Sequence, residues 1–173
     1  MKRILVAGFE GEDNSSKVLL DKMNCKYKLY LENDFDNSEK QLEKKLREKA
    51  YDEIIIFGSK PLVKSLYIEL IGQKNNKKYF TKYDYEKLSK YLNLNGYKVN
   101  ISKNAGNYLC NNIYFYGLEL LNKKYQNIKL IFIHIPALKN IIDIDDMANV
   151  FSKYLNMNIK KTIMCIDKLE NMM

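Results

Sequence analysis

Glycine and proline are scarce in this chain of 173 residues, which contains seven Gly and two Pro. Long flexible linkers are built largely from such residues, so the composition leaves no room for one. No internal repeat or low-complexity block is visible either. Because soluble domains usually contain roughly 100–200 residues, we expect a single domain over residues 1–173.

Long apolar runs are also absent, since no stretch reaches the roughly 20 apolar residues that a membrane-spanning helix needs. The first nine residues hold only a brief apolar run before Gly8, which predicts a strand and not a signal peptide. We therefore expect a soluble, cytoplasmic protein that has no membrane partner.

Cysteine and histidine are few, and their spacing forms no metal-binding pattern. The three cysteines, Cys25, Cys110 and Cys165, include no C-x-x-C pair, and His134 is the only histidine. We therefore predict no metal site built from these residues. An odd number of cysteines indicates free thiols in a reducing compartment.

The chain is basic, with a formal charge of +8 and a pI of about 9.2. Almost all of the basic residues are lysines scattered along the chain, and Glu39–Lys49 alternates charges as a solvated helix face does. Base and phosphate recognition usually gathers arginine and aromatic residues on one patch. We therefore expect no nucleic-acid partner, and a nucleic-acid module would require salt-sensitive binding to DNA or RNA.

Apolar runs of strand length alternate with segments of helical period, which predicts an α/β fold with its site at the carboxyl ends of the strands. The predicted strands are Arg3–Phe9, Tyr27–Leu31, Glu53–Phe57 (closed by Gly58), Lys98–Ser102 and Ile128–Ile135. The predicted helices are Ser15–Met23, Ser38–Tyr51 (capped by Ser38), Tyr83–Leu94, Tyr108–Lys124 and Asp145–Leu155. Lys64–Ile71 fits either a strand or a helical turn or two.

His134 lies at the end of a very apolar predicted strand, immediately before Ile135-Pro136. Imidazole is the side chain whose ordinary pKa, about 6.5, suits proton transfer near neutral pH. His134 is therefore a candidate general base. The alternative is a histidine packed in the core, which is the commoner fate of a lone histidine.

Cys110 follows the turn at positions 104–106 and enters the first turns of the next predicted helix. The positive end of a helix dipole stabilises a thiolate, and the free N–H groups there can bind an oxyanion. Cys110 is thus a candidate nucleophile, and the alternative is a small buried residue. Cys25 and Cys165 lack such a setting, and we interpret them as structural.

Glu69 lies within the apolar run Leu66–Ile71, where a carboxylate is costly unless it is paired or hydrogen-bonded. It could orient and stabilise an imidazolium, as the acid does in a Ser-His-Asp triad. Spacing alone leaves open the alternative of an exposed glutamate on a strand face.

Together these segments resemble the pyroglutamyl peptidase I (pyrrolidone carboxyl peptidase) family. The segment around Cys110 is similar to the family's S-N-x-A-G-x-Y-x-C-N motif and reads ISKNAGNYLCNNIYFYGLEL. The segment around His134 is similar to its F-I-H-V-P motif and reads IFIHIP. Gly58–Leu70 keeps the Gly, the Pro and the Glu of the family's glutamate segment, and Ile4–Glu10 matches its first strand and G-F-E turn.

The resemblance implies a three-layer α/β/α sandwich with a mixed, mostly parallel twisted sheet. It implies a cysteine peptidase that hydrolyses the amide bond after an N-terminal pyroglutamyl residue through a thioacyl-enzyme, without a metal or cofactor. Cys110 would be the nucleophile, His134 the base and Glu69 the acidic third member. The partner would be a peptide with a blocked N-terminus, and because relatives commonly self-associate, a homo-oligomer stays open.

The first loop departs from the family pattern, which continues G-F-x-P-F-G-G and then N-P-[ST]. Phe9 and Asn14 keep family positions, and the resemblance implies that they bind substrate. The second phenylalanine of the family's pocket is missing, and Glu12 and Asp13 bring charge instead. We expect a pocket that is open or differently shaped.

The stretch between Glu69 and Cys110, which are 41 positions apart, is shorter than in the family. The missing part carries the family's R-I-P-D-N segment, whose arginine is implied to assist the oxyanion. The lysines that could replace it are Lys74, Lys77 and Lys78, although lysine lacks the planar fork of arginine. The arginine that follows the family's glutamate is Leu70 here.

Two further hypotheses stay open at this point. The first is a cysteine amidase that acts on a different small N-terminal group, and reporter amides would separate it from a pyroglutamyl peptidase. The second is an inactive binding protein that inherited the fold. It predicts a Cys110 thiol that is alkylated no faster than a free cysteine.

Overall fold

The computed structural model describes residues 2–157 of the protein. The strands are β1 (Ile4–Phe9), β2 (Tyr27–Leu31), β3 (Glu53–Lys60), β4 (Leu66–Glu69), β5 (Ile71–Lys74), β6 (Lys77–Phe80), β7 (Val99–Ser102) and β8 (Lys129–Pro136). The helices are α1 (Ser15–Lys22), α2 (Phe35–Glu48), α3 (Tyr85–Leu94), α4 (Leu109–Lys124) and α5 (Ile144–Asn156), with a 3-10 turn at Leu138–Asn140.

Six of the strands form one sheet in the order β2-β1-β3-β8-β4-β7. The first four in this order run parallel to one another, as expected for continuous apolar runs that are buried on both faces. β4 runs antiparallel to β8, and β7 runs parallel to β4. The prediction of a mixed, mostly parallel sheet is therefore confirmed.

Helices cover both faces of this sheet, because successive side chains of a strand point to opposite faces. On β8, Ile131, Ile133 and Ile135 pack into a core that also contains side chains of α1, α3 and α5. Leu130 and Phe132 point the other way, into a second core that contains side chains of α2 and α4. The predicted three-layer α/β/α arrangement is thus confirmed.

The ambiguous run Lys64–Ile71 contains β4 and the first residue of β5. β5 and β6 then form an antiparallel hairpin that the sequence analysis did not predict. Its two turn residues, Asn75 and Asn76, have φ values of 49° and 63°. Asparagine tolerates this left-handed conformation, which two-residue hairpin turns require.

Two boundary predictions were wrong. Gly58 does not close its strand, because the residues up to Lys60 continue to pair with β8. Ser38 does not cap α2, because Asp34 does: its Oδ1 accepts a hydrogen bond from the backbone N–H of Asn37 at 2.8 Å. Ser38 lies inside the first turns, fully buried, and its hydroxyl donates to the carbonyl of Phe35.

Within residues 2–157, no helix has the length and apolar character needed to cross a membrane. Cys25 is a half-buried free thiol that packs against the core of α1, α3 and α5. Cys165 lies outside the described residues, so its structural interpretation stays a prediction.

The cap of α2 can be tested by comparing Asp34→Ala with Ser38→Ala. Losing an N-cap costs about 1 kcal/mol, so we expect Asp34→Ala to lower the free energy of unfolding by about that amount. Ser38→Ala removes one hydrogen bond to the carbonyl of Phe35, which also accepts a hydrogen bond within the helix. We therefore expect a smaller decrease in the free energy of unfolding. Urea unfolding of both variants measures this, and a larger loss for Ser38→Ala would contradict the assignment.

Candidate active site

His134 lies near the carboxyl end of β8 and is 5% exposed. Its ring lies 4.9 Å from the ring of Phe132, two residues earlier on the same face of the sheet. Its Nδ1 lies 2.8 Å from Oε1 of Glu69, which is hydrogen-bonding distance. The histidine is therefore buried in the sheet, with one ring nitrogen engaged by a carboxylate.

Glu69 is the last residue of β4 and has no exposed surface. The antiparallel register pairs it with Phe132, while Tyr67 pairs with His134. Paired residues point to the same face of a sheet, so the carboxylate and the imidazole leave the sheet side by side. The backbone carbonyl of Glu69 also accepts a hydrogen bond from the Tyr114 hydroxyl at 2.7 Å, which ties β4 to α4.

Cys110 is the second residue of α4, as the sequence analysis predicted for the helix start. Its Sγ lies against Gly58 of β3, only 2.9 Å from the position that a Cβ on this glycine would occupy. Gly58 is the register partner of His134. The thiol and the imidazole therefore lie on the same face of the sheet, over neighbouring strands, and the absent side chain of Gly58 makes room for the sulfur.

The start of α4 differs from the starts of the other four helices. An Asn or Asp side chain caps each of those, namely Asn14, Asp34, Asp84 and Asp143. At α4 the N-cap residue is Tyr108, and no side chain caps the helix there. The N–H groups beside Cys110 are thus not occupied by a cap, and such groups can bind an anion.

Burial, and after it the negative charge of Glu69, raises the pKa of the Cys110 thiol to about 12. The backbone N–H of Cys110 and the ammonium of Lys60 act in the opposite direction and lower this pKa, by less than burial raises it. The sequence analysis expected the helix start to favour the thiolate. The N–H at the helix start does favour the thiolate, but desolvation penalises a charged sulfur by more, so the pKa is raised overall.

Phe9 is the last residue of β1 and lies on the same core face as Phe132. Its side chain is 2% exposed, so very little of it is open to a ligand. Asn14 caps α1: its Oδ1 accepts from the backbone N–H of Ser16 at 3.0 Å and from the Ser16 hydroxyl at 2.7 Å. Its role in substrate binding stays a prediction, as does that of Phe9.

The lysine whose charge acts on the thiol is not one of the three that the sequence suggested. Lys74 donates a hydrogen bond to Oδ1 of Asn112 at 3.1 Å, and Lys77 and Lys78 are exposed on β6. The sequence analysis missed Lys60, whose charge acts on the thiol. A signal for it was present, since Lys60 lies two residues after Gly58 and would share its face if the strand continued. Leu70, at the position of the family's second arginine, is buried in a core.

The β5–β6 hairpin is fixed to α4 beside the thiol. Asn111 forms two hydrogen bonds to the backbone of Gln73, at 3.0 Å to its N–H and 2.7 Å to its carbonyl. A Cβ on Gly72 would lie 2.7 Å from the backbone of Phe115, so only glycine allows this approach. In the described part of the chain, no group of three or more His, Cys, Asp or Glu side chains could hold a metal ion.

Much of the chain is similar in sequence to known proteins. The sequence profile of the pyroglutamyl peptidase family matches residues 64–170. The chain is similar to the pyrrolidone-carboxylate peptidase of Clostridium perfringens, with 30% identity over 112 residues, 62% of this chain and 50% of that protein. It is also similar to that of Thermosipho africanus, with 33% identity over 97 residues, 56% of this chain and 46% of that protein. The chain thus matches about half the length of these relatives.

Solved structures extend the likeness of the fold to most of the chain. Pyroglutamyl peptidase I of Bacillus amyloliquefaciens superposes with a TM-score of 0.81 at 16% identity, over 88% of this chain and 94% of that chain. Pyrrolidone carboxyl peptidase of Fervidobacterium islandicum gives a TM-score of 0.79 at 17% identity, over 93% and 99%. At these identities the likeness shows a shared fold.

The protonation of Cys110 predicts its alkylation by iodoacetamide. Because burial raises the pKa of this thiol to about 12, we expect its alkylation rate to rise about tenfold per pH unit from pH 7 to pH 10. Mass spectrometry of the peptide that contains Cys110 measures the rate, with glutathione in the same buffer as the control. Glutathione should level off as its thiol ionises; a plateau for Cys110 below pH 8 would contradict the raised pKa.

Proposed function

Because the chain belongs to the pyroglutamyl peptidase family, we propose that it is a cysteine exopeptidase that removes an N-terminal pyroglutamyl residue from peptides. Cys110 is the nucleophile, His134 the general base and Glu69 the residue that orients the base. All three lie within the part matched by the family profile, residues 64–170.

One observation carries this proposal. A fully buried carboxylate lies 2.8 Å from the ring of the only histidine, and the thiol at the start of α4 lies over the register partner of that histidine. A nucleophile, a base and a group that orients the base are the parts that acyl transfer through a covalent intermediate requires. The alternative of an inactive binding protein does not explain why a carboxylate is buried beside the histidine, since burying a carboxylate costs stability.

The first half of the reaction forms the thioacyl-enzyme. A carboxylate accepts a hydrogen bond, so Nδ1 of His134 carries a proton and Nε2 is the basic nitrogen. Nε2 takes the proton of the Cys110 thiol while Sγ bonds to the carbonyl carbon of the pyroglutamyl residue. The uncapped N–H groups at the start of α4 bind the resulting oxyanion. The C–N bond then breaks, and His134 gives its proton to the leaving amine.

The second half releases the acid. Water attacks the thioester carbon, and Nε2 of His134 takes a proton from it. The C–S bond breaks, the sulfur recovers the proton from His134, and free pyroglutamate leaves. Because the pKa of Cys110 is raised to about 12, the thiol stays protonated until the base acts. Slow alkylation at neutral pH is therefore expected of the active enzyme too, and turnover is the measurement that separates it from an inactive scaffold.

A cysteine amidase with a different small N-terminal substrate is the second candidate, and the first loop favours it. Glu12 and Asp13 are exposed there, and Phe9, which we propose as the floor of the acyl pocket, is almost fully buried. Losing one apolar wall of a pocket changes discrimination by about 1–3 kcal/mol. A panel of pyroglutamyl, prolyl and acylated amide reporters distinguishes the two candidates.

Turnover of a fluorogenic pyroglutamyl amide by Cys110→Ala tests the nucleophile. We expect activity to fall to background, because the sulfur that forms the acyl-enzyme is gone. Cys25→Ala is the matched control: that thiol packs in the core on the opposite face of the sheet, and its loss should leave turnover near that of wild type. Hydrolysis by Cys110→Ala at the wild-type rate would refute the proposal.

Glu69→Gln tests the residue that orients the base. Glutamine keeps the volume but presents an amide to Nδ1 of His134, which favours the wrong tautomer. By analogy with other triads, we expect kcat to fall by about 10³–10⁴. Glu86→Gln, an exposed glutamate in the first turn of α3, should keep full activity. If both variants fold and turn over alike, the acidic role of Glu69 is wrong.

A further inference from the structure

Lys60 is the last residue of β3, opposite Pro136 of β8. Two residues earlier, a Cβ on Gly58 would point towards the sulfur of Cys110. Because alternate residues of a strand share a face, Lys60 points to the same face as the thiol. The strand pairing with β8 fixes the backbone from which this side chain leaves.

A neighbouring ring holds the ammonium in place. Nζ of Lys60 lies 4.4 Å from the centroid of the Tyr67 ring, within the distance at which a cation is attracted to an aromatic face. Tyr67 is the register partner of His134, and Glu69 follows on the same face of β4. The lysine is therefore part of the row of side chains that contains the base and its carboxylate.

Lys60 forms no ion pair in the part of the chain that the structure describes. No carboxylate in residues 2–157 forms an ion pair with it, although many other lysines are so paired. Its positive charge lowers the pKa of the Cys110 thiol. If a carboxylate formed an ion pair with Lys60, its negative charge would cancel much of this effect on the pKa of Cys110.

We propose that Lys60, held over the Tyr67 ring, supplies the fixed positive charge that stabilises negative charge on the sulfur of Cys110. This inference rests on the proposed role of Cys110 as the nucleophile. This role differs from assistance to the oxyanion, for which the lysines of the β5–β6 hairpin were the candidates. In this proposal Lys60 influences the charge on the sulfur and does not itself contact the substrate.

The test is the alkylation rate of Cys110 by iodoacetamide at pH 8, a readout that uses no peptide substrate. Lys60→Met removes the charge with little change in side-chain length, and we expect the rate to fall about threefold to tenfold. Lys60→Arg restores a charge and should recover most of the wild-type rate. Lys64→Met, an exposed lysine four positions on, is the matched control and should alkylate as wild type does.

Salt gives a second measurement that a purely structural role would not change. Raising KCl from low to high concentration should slow the alkylation of the wild-type thiol, because ions screen the half-exposed ammonium. The Lys60→Met variant should show no such dependence. Lys60→Gln serves as the neutral variant if methionine at this position unfolds the chain, as judged by thermal melting.

Equal rates for wild type and Lys60→Met overturn the inference, and so does a loss that arginine fails to recover. A loss in Lys74→Met without one in Lys60→Met would assign the role to the hairpin instead. Failure of the proposed function looks different: the wild-type protein would not hydrolyse the pyroglutamyl reporter, while the effect of Lys60 on alkylation would persist.

Discussion

The buried hydrogen bond between Glu69 and His134 is the contact on which the rest of the site depends. A desolvated carboxylate costs several kcal/mol unless a partner compensates it, and Oε1 has that partner at 2.8 Å. Oε2 has no hydrogen-bond partner within the part of the chain that the structure describes. A well-packed apolar pair would stabilise the sheet at least as well. Chemistry that needs an oriented imidazole explains the pair better than stability does.

The contact between Glu69 and His134 depends on the antiparallel pairing of β4 with β8. Glu69 ends a strand that runs against β8, so its carboxylate emerges beside Phe132 and within reach of His134. A register slip of one residue would turn Glu69 to the opposite face of the sheet. The apolar residues on either side of it, which pack into the other core, prevent that slip. The core pattern therefore also fixes the geometry of the site.

The sequence predicted the parts of the fold that local patterns determine. The buried strands, the amphipathic helices and the helix start at Cys110 follow from runs and periods of apolar residues. Strand direction, the β5–β6 hairpin and the length of β3 depend on pairing partners far along the chain, which no local pattern contains. The pKa of Cys110 and the position of Lys60 depend in turn on that pairing. The spacing of Lys60 from Gly58 is visible in the sequence, but it places Lys60 on the face of the thiol only once the strand is known to continue to Lys60.

Magnitudes explain why the nucleophile that we propose is paired with a base. Raising a thiol pKa from 9.0 to about 12 corresponds to about 4 kcal/mol against the thiolate. The backbone N–H of Cys110 and the charge of Lys60 already oppose this cost, and they are too weak to cancel it. A base that removes the proton only as the carbon–sulfur bond forms avoids a free thiolate. Because Lys60 lies on a paired strand, its contribution needs no ordering of a flexible loop, which would lose conformational entropy. Because Cys110 is buried, the proposed reaction depends on a neighbouring base that removes the thiol proton as the carbon–sulfur bond forms.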